Sequence, residues 1–140
     1  MKYPTKEEIE ECKTIPSEEQ NRMAIIWKNF HTLLGTLENQ EERKIAIQRL
    51  CEEMLKTENY HNVNIQFAEN NDNIPCSCFI ANQNKIYLKN TSIITALHEV
   101  AHALFGADET KACSWSTKLF KIMFPEEYKK LHWEGHMLKK

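Results

Sequence analysis

His98, Glu99 and His102 form a His-Glu-x-x-His run, and Glu109 stands seven residues beyond the second histidine. On a helix the i, i+4 spacing stacks both imidazoles on one face, where they can share a metal ion while Glu99 projects beside it. Two His and one Glu are a known catalytic zinc set that leaves a fourth position for water. A metal held in this way lowers the pKa of that water and polarises a carbonyl. A neighbouring carboxylate that is not a ligand takes the proton and later delivers it to the leaving amine. The chemistry is therefore metal-dependent hydrolysis, with Glu99 as general base and His98, His102 and a downstream acid as ligands.

Such a site needs a helix under the motif and a second element that returns an acid to it. Asn90, Thr91 and Ser92 are N-cap residue types, and Ile93, Ile94, Leu97, Val100, Ala101, Leu104 and Phe105 recur as one apolar helical face. Gly106 is a natural stop, so the spacing predicts a helix over about 91 to 105. Glu109 opens a second helical pattern through Ala112, Cys113, Leu119, Phe120 and Met123, and the two helices form a tight hairpin. The small Ala112 lets them approach closely enough for Glu109 to reach the histidines. Asp108, six positions after His102, is the alternative third ligand, although Phe105 and not glycine stands three residues after that histidine. Its other role is to cap the second helix.

The segment Ile94-Thr95-Ala96-Leu97-His98-Glu99-Val100-Ala101-His102, followed by Glu109-Thr110-Lys111-Ala112, resembles the small gluzincin-type zincins. That group includes the ImmA/IrrE-like metallopeptidases and related phage and bacterial proteins, with their His-Glu-x-x-His and Glu-x-x-Ala helices. The resemblance covers mainly residues 63 to 124. It implies an α+β, zincin-like (minigluzincin) fold and one Zn2+ held by His98, His102 and Glu109, with Glu99 as base. It also implies a peptide or protein substrate aligned along a sheet edge.

The rest of the chain supplies a scaffold. Thr5 with Glu8 and Ser17 with Gln20 have capping-box spacing, predicting helices near 6 to 14 and 18 to 34, separated by Pro16 and closed by Gly35. Met23, Ile26, Trp27, Phe30 and Leu34 line the second. A third helix over about 40 to 57 carries Ile45, Ile47, Leu50, Cys51, Met54 and Leu55. The period then becomes two: Val63, Ile65 and Phe67 alternate with polar residues, Glu69 to Asn73 make a loop, and strands are expected at 78 to 81 and 85 to 89 around Asn82-Gln83-Asn84. One strand of that hairpin is expected to be a free edge. The expectation is a single domain over 1 to 140, with a helical part (1 to 60), a small, mostly antiparallel three-stranded sheet plus metal-binding helices (63 to 124), and a tail (125 to 140).

Composition narrows the classes. The chain has 140 residues, 41% of them hydrophobic, which suits one domain with a real core. It has no apolar run of bilayer length, and Met1-Lys2-Tyr3-Pro4 followed by acidic residues is not a secretory signal, so no membrane partner is expected. With 18 basic against 20 acidic residues there is no electrostatic case for nucleic acid. Lys129, Lys130, Lys139 and Lys140 read as solvated surface. Five cysteines, an odd number, point to reduced thiols and a cytoplasmic setting. Cys76 and Cys78 could hold metal from one face of a strand, but no second pair matches them, and small buried residues are the simpler reading. Three glycines, at turns or caps, exclude a nucleotide-cradling loop. In the tail, Tyr128, His132 and His136 are the residues that could stabilise an oxyanion. His132 and His136 share ligand spacing but lack an adjacent Glu and a third ligand. The functional expectation is a zinc metallopeptidase of a phage or bacterium; the alternatives are a zincin-fold regulatory or binding protein that keeps zinc, and a zinc hydrolase of a non-peptide amide.

Overall fold

The computed structural model describes residues 5–11, 39–57, 62–69, 76–134 and 137–139. The helix expected over 18 to 34, Gly35 and His136 lie outside the described residues. Within them the protein is α+β. Helices α1 (Lys6–Glu11) and α2 (Gln40–Thr57) come first, then strands β1 (Asn64–Phe67), β2 (Cys78–Ile80) and β3 (Lys85–Leu88). Helices α3 (Ile93–Phe105), α4 (Glu109–Met123) and α5 (Pro125–Lys129) follow, and β4 (His132–Glu134) and β5 (Met137–Lys139) end the order.

Capping starts the helices where the side chains dictate. The Thr5 hydroxyl accepts the Glu8 amide at 3.1 Å, and Asn39 Oδ1 accepts those of Glu41 and Glu42 at 2.8 and 3.4 Å, satisfying donors the first turn leaves unpaired. Along α2 the buried set is Ala46, Ile47, Leu50, Cys51, Met54 and Leu55. Ile45, expected on this face, is instead 57% exposed. The 3.6-residue period places Ala46 and Ile47 one turn before Leu50 and Cys51, which rotates position 45 out to the side of Arg49.

The sheet order is β1-β3-β2, with β3 central. β3 pairs antiparallel with β2 but parallel with β1, so the sheet is mixed and the expectation of a mostly antiparallel one is corrected. The cause lies in the connection. β2 takes the far edge of the sheet, and the short hairpin after it returns β3 between β2 and β1, where β3 runs beside β1 in the same direction. Ile65, Ile86 and Phe79 face one another across the three strands and pack into the core with Leu88. Between β2 and β3 a 3-10 turn, Ala81–Gln83, ends at Asn84 with φ 48°, a left-handed conformation that asparagine tolerates.

Helix α3 packs on both β2 and β3, on α2, and most extensively on α4. Its start is tied to α2: an Arg43 guanidinium N–H donates to Thr91 O at 3.4 Å, and the Thr91 hydroxyl donates to Gln40 at 3.2 Å. Helix α4 is enclosed on almost every side, with Trp115 and Leu119 fully buried and Ile9 of α1 buried against the same region. Its buried Ser116 satisfies its hydroxyl by donating to Ala112 O at 2.7 Å. Beyond Pro125, which opens α5, β4 and β5 form an antiparallel pair with His132 opposite Lys139. No helix among the described residues is long and apolar enough to cross a membrane.

Candidate metal centre

Ser92 begins α3, its hydroxyl accepting the Thr95 amide at 3.3 Å. Ala96, Leu97, Val100 and Ala101 are then buried, and this sets the rotation of the helix. His98 and His102 fall at the border of the buried face, with side chains 24% and 15% exposed, while Glu99 is 6% exposed. The helix stops at Gly106, whose φ of 79° and ψ of −149° lie in a region open essentially to glycine alone. A side chain there would meet nothing within 4 Å, so the backbone and not space requires glycine.

That turn does more than end the helix. The Gly106 carbonyl lies 2.8 Å from His102 Nδ1. A carbonyl only accepts, so Nδ1 donates to it, which leaves Nε2 as the nitrogen that could hold a metal. Three residues later α4 begins, capped by Asp108, whose carboxylate accepts the Lys111 amide at 3.0 Å. Glu109, the first residue of α4, turns to the histidines: Oε1 is 2.8 Å from His98 Nε2, and Oε2 is 3.1 Å from His102 Nε2. The fully buried Ala112, one turn on, presents no bulk against this approach. Of the two acids considered for the third ligand, the fold brings Glu109 to the histidines and leaves Asp108 at the helix cap.

The two Nε2 atoms are 3.2 Å apart. Two nitrogens each about 2.0–2.1 Å from a tetrahedral zinc stand about 3.3 Å apart, so the spacing suits one shared ion. Two imidazole nitrogens and both oxygens of a carboxylate thus crowd one point. A proton on one ring serves two of these atoms, whereas a cation serves them all. A Glu99 carboxylate oxygen lies within 4.8 Å of a nitrogen of each histidine, and Glu99 Oε2 is buried with no hydrogen-bond partner among the described residues. Burial pushes the Glu99 carboxyl up to about 7; His102 pulls it down and the Glu109 carboxylate pushes it up. A buried oxygen without a partner, beside a cluster of donor atoms, fits a bound cation and its water.

Two further groups belong to this centre and were not singled out by spacing. One is the Gly106 carbonyl, which only the backbone turn reveals. The other is Cys113, which the sequence presents as an apolar helical position; its Sγ is 3.8 Å from Glu109 Oε1 and 3.9 Å from His98 Nδ1. The available signal was its place four residues after Glu109. Burial, with Glu109 beside it, pushes the Cys113 thiol up to about 12. Cys78, at the start of β2, has its thiol raised by burial first and then by Glu99 and Cys76, which places this edge of the sheet within electrostatic reach of Glu99. Tyr128 on α5 lies under Lys121, whose Nζ is 5.5 Å from its ring, and His132 begins β4; neither joins the cluster of potential ligands among the described residues. No protein-family model, curated protein or solved structure matches this chain.

Proposed function

We propose that the protein is a zinc-dependent metallopeptidase with a zincin-like fold, one zinc ion per chain, working in the cytoplasm on peptide or protein substrates. The observation that carries this reading is the meeting of His98 Nε2, His102 Nε2 and the Glu109 carboxylate at 2.8–3.2 Å contacts, beside Glu99, whose Oε2 is buried with no hydrogen-bond partner among the described residues. Those three residues would hold the ion. When bound, zinc supplies Lewis acidity toward a carbonyl and acidifies water. Glu99 accepts a proton from the attacking water and returns it to the leaving amine. In the metal-free protein its burial lifts the carboxyl above the ordinary carboxylate range, which makes the carboxylate a stronger proton acceptor than an exposed one. Among the described residues β2 is an edge strand of the sheet and packs on α3, and the backbone of such an edge can align an extended peptide beside the centre. The described free thiols of Cys51, Cys76, Cys78 and Cys113 suit a reducing compartment.

Metal analysis of the purified protein, with a peptide-library cleavage assay, tests the reading. The expected result is one zinc per chain and cleavage abolished by chelation and restored by zinc. Stoichiometric zinc without cleavage transfers weight to a regulatory role, and absence of zinc uptake overturns the proposal.

The third ligand has its own test. Glu109→Gln is expected to weaken zinc binding by more than the roughly 10–100-fold typical of an outer-shell residue. Asp108→Ala should instead lower stability by about 1 kcal/mol through loss of the helix cap, with zinc affinity unchanged. A competition titration and a thermal melt of each variant separate the two roles.

A further inference from the structure

The donor atoms around His98 do not end with Glu109. Cys113, one turn further along α4 and only 4% exposed, has its Sγ 3.8 Å from Glu109 Oε1 and 3.9 Å from His98 Nδ1. The same Oε1 is 2.8 Å from His98 Nε2. The two nitrogens of an imidazole point in divergent directions, so a sulfur this close to an atom that touches Nε2 lies alongside the ring, on the flank where the donor atoms meet. His98, Glu109 and Cys113 accordingly offer three donor atoms within 4.8 Å of one another. The i, i+4 spacing stacks Glu109 and Cys113 on one face of α4, as it stacks the two histidines on α3. Zinc holds sulfur at about 2.3 Å and oxygen at about 2.0–2.2 Å, which in a tetrahedron sets the two about 3.6 Å apart, close to the separation of Sγ and Oε1. Glu99, only 6% exposed and with no hydrogen-bond partner for Oε2 among the described residues, stands beside the same His98 and calls for a cation there.

We propose that Cys113 is a fourth protein ligand of the centre: with His98, His102 and Glu109 it closes the ion in the resting protein, and its sulfur stands where the attacking water must bind. The inference rests on the zinc-peptidase reading of the site and adds its regulation. Ligation breaks the S–H bond as the bond from sulfur to zinc forms, and the proton passes to solvent. A zinc with four protein ligands is of the structural kind, whereas catalysis needs an open position. The closed centre is therefore latent, and turnover requires the sulfur to withdraw from the ion.

The test reads the metal directly. X-ray absorption of the zinc-loaded wild type is expected to show one sulfur at about 2.3 Å beside nitrogen and oxygen at about 2.0–2.2 Å. The Co2+-loaded wild type should show a sulfur-to-cobalt charge-transfer band that is lost in Cys113→Ser and kept when Cys76 and Cys78 are both changed to serine. Cys113→Ala is expected to bind zinc at least about tenfold more weakly, the lower bound for losing even an outer-shell group, and yet, saturated with zinc, to cleave peptides faster than the wild type. A zinc spectrum of nitrogen and oxygen alone overturns the ligand role, and that measurement needs no variant to fold. A charge-transfer band that survives Cys113→Ser overturns it too, by giving the sulfur to another thiol. A sulfur ligand with no gain in cleavage for Cys113→Ala overturns the latency. A wild type that takes up neither zinc nor Co2+ overturns the peptidase reading beneath.

Discussion

Glu99→Gln is expected to lower kcat/KM for peptide cleavage by about 10²–10⁴-fold while the protein keeps one zinc per chain. The argument is one of shape against chemistry. Glutamine has the size of glutamate and can occupy the same buried place on α3 beside Ala96 and Val100. It cannot take a proton from water. His98, His102 and Glu109 reach one another without help from Glu99, so the ligand set should survive the change. Steady-state kinetics with metal analysis on the same preparation reads both quantities. Activity within tenfold of the wild type removes Glu99 from the role of base, and loss of zinc makes it a ligand.

Helix α2 was legible because its evidence is local: Asn39 caps it, and a 3.6-residue stripe runs to Leu55. The one slip on that face, Ile45 for Ala46, arises because hydrophobicity marks a side chain's preference and not its angle around the helix. The meeting of Glu109 with the histidines was also within reach, because three residues between α3 and α4 force the start of one helix back toward the end of the other. The parallel pairing of β1 with β3 was not legible. A four-residue strand carries its facing pattern but not the identity of its neighbour, which the intervening chain decides. The burial of Ser114, Ser116 and Thr117 was hidden for a related reason: α4 is covered on several sides, and a polar residue such as Ser116, whose hydroxyl is satisfied by its own helix, is admitted where an apolar stripe would not place it. Gly106 announced a stop, yet that its carbonyl turns back to His102 depends on ψ, which residue type alone does not reveal.

The second large effect concerns the metal-free protein, in which Glu99→Gln is expected to raise stability at pH 8 and leave it unchanged at pH 4. Burial lifts the Glu99 carboxyl from 4.5 to about 7, so the fold prefers the protonated form. A group raised in this way contributes fully below its unfolded value and loses that contribution as pH rises through its folded value. Below pH 4.5 the wild type therefore carries a neutral carboxyl at a buried position, much as the variant carries an amide. Above pH 7 it carries a buried charge. With about 1.4 kcal/mol for each pH unit of displacement, the difference is on the order of 3 kcal/mol, or about 10 °C in Tm for a domain of this size. The comparison reports Glu99 together with its coupling to His102 and Glu109, because the remaining titrating groups are common to both proteins. Zinc should close the gap, since a cation near the carboxylate favours its charged form. The stabilisation by zinc at pH 8 is thus expected to be greater in the wild type than in the variant, even though glutamine leaves all three ligands in place. Thermal melts of both proteins at pH 4 and pH 8, chelated and zinc-loaded, measure all of this in one series. Parallel pH profiles for the chelated proteins would show that the buried Glu99 carboxylate carries no such strain, and with it would go the electrostatic reason for a cation at its side.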